Sequence, residues 1–327
     1  MEDDPKSGIQ RRVAQSITEY MEVVDGLSST TLAGLWFRGH SKSQYRLIPS
    51  ALRDTTLTTD GRGQPIRKGQ IVRASGSEVT GVNPERMLAE FKRQARPFIE
   101  RPLANDFEWM FVAQHHALPT RLLDWSTNAL VALYFAVSEA HAAAGDGNEA
   151  CQEFMDPRSD EFRDDGLAVF VIDPGEINAA ICNVPDPIDI SDDPDRWAHY
   201  LDPAAHMIDA YAPICVVAPH ISPRIRAQSG VFTLHGANVW PIDYYSVFRP
   251  LITKIFIPYT ATDKIAKSLA KVGISRSFIY PGLDSIARDV SATEWTRHEA
   301  EKAAYFRSVK ESFTEPGKGK GSRRKRT

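Results

Sequence analysis

The chain has 327 residues, of which 42% are hydrophobic and 25% charged, with a formal net charge of −3. That length accommodates one large domain or two ordinary ones, and the composition excludes global disorder. The longest apolar runs, such as 129–137, are far shorter than a bilayer span, and Met1-Glu2-Asp3-Asp4 has no apolar stretch behind it, so neither a membrane span nor a secretory signal is expected, and the sequence reads as cytoplasmic.

Residues 9–25 keep a helical spacing through Ile9, Val13, Ile17, Tyr20, Met21 and Val24, and Gly26 ends it. The apolar stretch 32–38 ends in Arg-Gly and is predicted as a strand running into a turn. Residues 54–83 are rich in Thr, Gly, Ser and Arg without periodicity and are expected to be a long loop or insertion. Helices are predicted over 85–99 and 105–116, the second capped by Asp106. A short strand at 121–124 then leads into a helix at 128–144, apolar nearly all round in its first turns and therefore buried on most sides.

Residues 145–165 are polar and acidic and read as a second loop. Strands are predicted at 167–172, 214–218, 231–234, 254–257 and 278–280. A helix over 261–272 stops at Gly273, and helical segments start at 284–290 and cover 293–312. Strands and helices interleave without repeats and without a regular βαβ cadence. The expected fold is α+β, with one mixed or mostly antiparallel sheet surrounded by helices.

Charge is unevenly distributed. The stretch 146–202 is dominated by Asp and Glu, whereas the end of the chain carries Lys318, Lys320, Arg323, Arg324, Lys325 and Arg326 without an acid. Such a tail is either a disordered solubilising terminus or an electrostatic handle for nucleic acid through 318–326. Cys151, Cys182 and Cys215 are an odd, widely spaced set without CxxC and are expected to be free thiols.

Four segments carry polar side chains suited to chemistry. In Trp36-Phe37-Arg38-Gly39-His40-Ser41, continued by Gln44, Tyr45 and Arg46, a guanidinium ends an apolar strand beside a glycine that lets backbone approach a ligand. The alternative for Arg38 is a structural ion pair with Asp124. The run from Gln114 and His115 through Pro119, Thr120, Arg121, Asp124, Trp125, Ser126, Thr127 and Asn128 packs polar groups between two apolar helices, where they must be partnered or face a cleft. For Ser126 and Thr127 the competing role is a helix cap. The adjacent His115 and His116 lack metal-ligand spacing, and no metal is expected. The third segment holds Arg224, Gln228 and Gly230 in a polar turn entering a strand. The fourth is Tyr280-Pro281-Gly282-Leu283-Asp284, where Asp284 is equally a helix cap.

Taken together, Trp36-Phe37-Arg38-Gly39, the run from Gln114 to Trp125, the helix from Ala129 to Ala136, the Arg224 to Phe232 segment and Pro281 to Asp284 resemble the FRG domain family, named for its Phe-Arg-Gly motif. The resemblance extends from about Ser16 to Val290 and implies a single domain over 1–312, with insertions near 54–83 and 141–165 and a disordered basic tail at 313–327. The sequence departs from the family by His40 where Gln is common, by Ala117 where Gly is common, and by Gly282 in a Pro-Asp-Leu-Asp or -Glu motif.

In the order of its motifs the chain also resembles ADP-ribosyltransferases. That resemblance implies NAD as substrate, with Arg38 on the pyrophosphate, Ser126 or Thr127 on the ribose, and Gln228 or Asp284 orienting the ribose or acceptor. Breaking the glycosidic bond of NAD develops oxocarbenium character, which a positioned acidic or amide group stabilises. Arg38, Gln228 and Asp284 are then the catalytic candidates of an ADP-ribosyltransferase or NAD glycohydrolase acting as a toxin or defence effector. The ligand-binding candidates are Gly39, His40, Gln44, His115, Arg121, Asp124, Trp125, Ser126, Thr127, Asn128 and Arg224. The alternative is a module that holds a nucleotide or other small anionic ligand without turnover.

Overall fold

In a computed structural model that describes residues 8–314 apart from 30, 31, 33, 54–56, 60–64, 68–81, 100, 142, 143, 204, 205, 207–209, 220, 221 and 239, the first helical stripe breaks in two. Gln10–Val13 is a strand, β1, and the helix α1 spans only Ile17–Asp25. The break has a local cause: the Ser16 side chain accepts from Glu19 N, and Glu19 accepts from Ser16 Oγ and Gln15 N. A reciprocal cap of this kind sets a helix start, and the residues before it are left to join a sheet.

Trp36–His40 forms β2. Within the stretch read as a loop, Leu57–Thr59 (β3) and Pro65–Arg67 (β4) pair antiparallel, and most of the rest of 54–83 lies outside the described residues. Pro84–Ala95 is α2, and Asp106–His115 is α3. The cap of α3 is Asn105, which accepts from Glu108 N, and not Asp106; Asp106 instead pairs with Lys92 at 2.5 Å. Leu122–Ser126 is β5, and Ala129–Ser138 is α4, ending six residues before the predicted stop.

The acidic segment after α4 is more than a loop. Asp146 caps a helix, α5, over Gly147–Met155, and Cys151 and Phe154 turn inward from it. Gly166–Ile172 is β6, followed by α6 over Pro174–Cys182, β7 over Ile188–Asp189, β8 over Ile214–Val217, the one-turn helix α7 over Pro223–Ala227, and β9 over Gly230–Leu234. Ile252–Pro258 is β10, and Thr262–Lys271 is α8.

Beyond α8, a second compact unit comprises Ser275–Thr327, the first being Met1–Ile274. In it Arg276–Ile279 is a short helix, α9, where a strand was expected at 278–280. The Ser275 side chain accepts from Phe278 N and starts a helical turn, which a three-residue apolar run does not reveal. The two helical stretches predicted after it are one 32-residue helix, α10, over Leu283–Thr314. The basic tail 318–326 lies outside the described residues. Cys151, Cys182 and Cys215 are free. No helix among the described residues is long and apolar enough to cross a membrane.

In the first unit, eight strands form one mixed sheet in the order β1-β10-β6-β2-β5-β9-β8-β7. Neighbours are antiparallel except at the two edges, where β1 runs parallel to β10 and β7 to β8. The central strands β6 and β10 are buried at every position, which explains their continuous apolar runs. Trp36, Trp125, Phe170 and Phe248 pack in one core cluster, and Phe111, Ile214, Phe232 and Leu234 in another.

The pairing of β2 with β5 decides where the site forms. These two strands share a single register pair, Phe37↔Ser126, whereas β2 and β6 share five. Past that pair the strands separate, and the sheet opens at its centre.

A cationic cavity where the sheet splits

A cavity of about 920 Å³ occupies the opening, a size suited to a small organic ligand. Arg38, Gly39 and His40 of β2 line one side, with Gln44, Arg46 and Arg53 from the segment after it. Asp124, Trp125 and Ser126 of β5 face them, and Gln114, His115, Ala117 and Leu118 enter from the end of α3. Arg224, Gln228 and Phe232 close a further wall from α7 and β9, and Phe135, Ser138 and Glu139 do so from α4.

Arg38 takes over the role of the missing ladder. Its Nη1 donates to the backbone carbonyl of Asp124 across the split and lies 4.0 Å from Asp124 Oδ2. Its Nε donates to His40 Nε2 at 2.9 Å, so two of its five N–H donors are used. Burial pulls the Arg38 guanidinium down to about 10, the Asp124 charge opposes this, and Arg53 adds to it; the group is still charged at neutral pH.

His40 is buried and stands edge-on to Phe170 at 5.2 Å. Its Nδ1 lies 3.2 Å from Tyr45 O, so the tautomer that donates there leaves Nε2 to accept from Arg38. Burial holds its pKa well below the ordinary value, and the Arg38 charge pushes the same way. His40 is therefore a neutral acceptor that aims Arg38.

Gly39 serves packing. A Cβ built there would lie 1.9 Å from Ala132 O and 2.6 Å from Ala136 N, so β2 rests directly on the backbone of α4. Close approach of a helix is a use of this glycine beyond the one read from sequence, and Gly39 also lines the cavity.

On the facing strand a chain of donors runs in one direction. Leu122 N donates to Thr120 Oγ1 at 3.0 Å, the Thr120 hydroxyl donates to Gln114 Oε1 at 2.6 Å, and Gln114 Nε2 donates to Asp124 Oδ2 at 2.9 Å. The Asp124 side chain remains 58% exposed at the cavity. Trp125 is buried and donates Nε1 to Thr233 Oγ1 at 3.1 Å. Ser126 Oγ accepts from Asn128 N at 3.0 Å and donates to Gln228 O at 2.7 Å, which ties β5 to the end of α7. His115 Nδ1 is 3.3 Å from Ser222 Oγ; burial, with Arg224 second, lowers its pKa.

The cavity thus gathers Arg38, Gly39, His40, Gln44, His115, Asp124, Trp125, Ser126, Arg224 and Gln228 from positions far apart in the chain. Three expected members in the first unit are elsewhere. Arg121 is buried in a structural pair with Glu85 at 2.6 Å and donates to Gly236 O at 2.9 Å. Thr127 does not line the cavity, and its backbone N donates to Ser229 O. Asn128 caps α4, with Oδ1 accepting from Leu130 N and Val131 N. Asp284 sits in the first turn of α10, in the second unit.

Sequence reasoning passed over Arg53, Phe111 and Phe135. The last two lie in apolar helices whose pattern reads only as core, whereas Arg53, eight residues past Tyr45, was the one with a readable cue in its charge. Among the described residues, no group of three or more His, Cys, Asp or Glu side chains is placed to hold a metal ion.

The first unit is therefore a mixed-sheet α+β unit with a polar cavity at the centre of the sheet. Residues 33–145 match the model of the FRG domain, and the chain carries an FRG domain there. The match spans β2, α3, β5 and α4, the elements that make most of the cavity, while the wall from Arg224 to Phe232 lies beyond it. No curated protein and no solved structure matches the chain.

Proposed function

We propose that the cavity binds a small anionic ligand of nucleotide size and holds it without turnover. The observation that carries this reading is the pairing, in one cavity of about 920 Å³, of Arg38, Arg53 and Arg224 with Phe37, Phe111, Phe135 and Phe232. Arginines suit phosphate or carboxylate through a planar fork of donors, and aromatic rings suit the flat or apolar remainder of a ligand. Arg38 keeps three N–H donors uncommitted among the described residues and is held in place by His40 and the Asp124 carbonyl, so little ordering remains for binding.

Calorimetry and thermal shift with pyrophosphate, AMP, GMP and NAD test the reading. At least one ligand is expected to stabilise the protein saturably, by about 2.7 kcal/mol at a hundredfold excess over Kd. Arg53→Ala and Arg38→Lys are each expected to weaken that binding about tenfold or more. Absence of stabilisation by every ligand, or equal affinities in both variants, overturns the proposal.

A second reading, NAD cleavage or ADP-ribosyl transfer, is favoured by one observation: Arg38, Ser126 and Gln228 share the cavity in the order that the transferase resemblance implies. Against it, the Ser126 hydroxyl has its proton committed to Gln228 O. Nicotinamide release that disappears in Arg38→Lys selects this second reading over simple binding.

A further inference from the structure

The anion-binding reading leaves the carboxylate of Asp124 unexplained. A negative charge opposes a simple anion, and here it is not consumed by the nearest cation. Arg38 Nη1 donates to the backbone carbonyl of Asp124, while the carboxylate stays 4.0 Å away and 58% exposed. Nor is the carboxylate free to swing out. The carboxylate can only accept, so Gln114 turns Nε2 toward Asp124 Oδ2, and its Oε1 is left to accept from the Thr120 hydroxyl, whose oxygen in turn accepts from Leu122 N. Three side chains from α3, the following connection and β5 therefore hold an acceptor at the cavity with capacity for further hydrogen bonds. A carboxylate accepts about four in all.

Resting on that reading, we propose that Asp124 recognises hydroxyl donors of the ligand, so that the ligand class is a phosphorylated sugar, either free or as the ribose phosphate of a nucleotide. A neutral donor fits better than an ammonium, because Arg38 stands close to the same carboxylate and would repel a second cation. The phosphate faces the arginines and the hydroxyls face Asp124. Gln114 is a positioning residue, acting through the carboxylate it orients.

Calorimetry with pyrophosphate, ribose 5-phosphate, AMP and phosphoethanolamine, on wild type, Asp124→Asn and Gln114→Ala, tests this. Wild type is expected to bind ribose 5-phosphate and AMP at least tenfold tighter than phosphoethanolamine. AMP binding tighter than ribose 5-phosphate identifies the nucleotide as source, and equal affinities identify the free sugar phosphate; both support the proposal. Asp124→Asn is expected to weaken both sugar phosphates tenfold or more, as for a hydrogen bond to a charged group, while pyrophosphate affinity stays the same or rises. Gln114→Ala is expected to shift the sugar phosphates in the same direction by a smaller factor. Circular dichroism melts verify that each variant is folded.

The proposal falls if Asp124→Asn weakens pyrophosphate and ribose 5-phosphate by one common factor, which marks a purely structural role, or if phosphoethanolamine binds as tightly as the sugar phosphates. Pyrophosphate binding without any preference for the sugar sinks this proposal and leaves the anion pocket standing. Failure of wild type to bind any of the four overturns both.

Discussion

Replacing Gly39 with alanine should separate β2 from α4. The added Cβ would meet Ala132 O at 1.9 Å and Ala136 N at 2.6 Å, whereas ordinary contact begins at 3.4 Å, so the two elements must part by about 1.5 Å. Both obstacles are backbone atoms of a buried helix and cannot rotate away. A gap of about 0.5–1 Å already forfeits a quarter to a half of the dispersion attraction between facing atoms. The face at risk includes Val131, Ala132, Leu133, Ala136 and Val137, all buried. The expected cost is about 3 kcal/mol or more, at the upper end of what overpacking usually produces. Guanidinium unfolding followed by tryptophan fluorescence measures it, since Trp36 and Trp125 are buried in the same sheet. Gly282→Ala is the control, because a Cβ there has nothing within 4 Å, and its effect should stay within about 0.5 kcal/mol. A Gly39→Ala protein within about 1 kcal/mol of wild type would refute the packing argument.

Two further outcomes follow from backbone strain and buried charge. Ala117 closes α3 in the left-handed region at φ 62°, with Leu118 N donating back to Ala113 O, so Ala117→Gly should raise stability by about 1 kcal/mol in the same unfolding assay; unchanged or lower stability would show that the turn is not strained. Lys254 is fully buried on β10, where its ammonium lies 4.1 Å from the Phe162 ring centroid and donates to Ser43 O and Glu161 O. Burial pushes its pKa from 10.5 down to about 7, Arg46 adds to the shift, and Asp243 and Glu161 oppose it. Between those two values the unfolded chain binds the extra proton, so this group makes stability rise with pH from about 7 to about 10 and contributes no slope below. Lys254→Met should lack that rise, and parallel pH profiles of wild type and variant would contradict the assignment.

Much of the fold was legible because the signals are local. The near-continuous apolar runs of β6 and β10 and the apolar helix α4 announce themselves by composition and periodicity, and the α+β class with a mixed, mostly antiparallel sheet follows from their order. What failed was also local. β1 hides in a helical spacing that Ser16 interrupts, α5 hides in acidic composition, and α9 is too short for an apolar triplet to separate helix from strand.

The candidate site divides along the same line. That Arg38, the run from Gln114 to Ser126, and the segment around Gln228 carry the polar chemistry is readable from residue type and order. Which of those groups face the cavity is not. Arg121 and Arg38 look alike in sequence, yet one is spent on Glu85 in the interior and the other spans the split between β2 and β5. The neutrality of His40, the packing use of Gly39 and the free capacity of Asp124 each depend on what lies across a strand or a helix, at sequence separations that periodicity does not sense. The amino-acid sequence by itself determined the sheet class and the polar segments. Only the tertiary structure decided that β2 and β5 pair at one position and then part, and that parting creates the cavity.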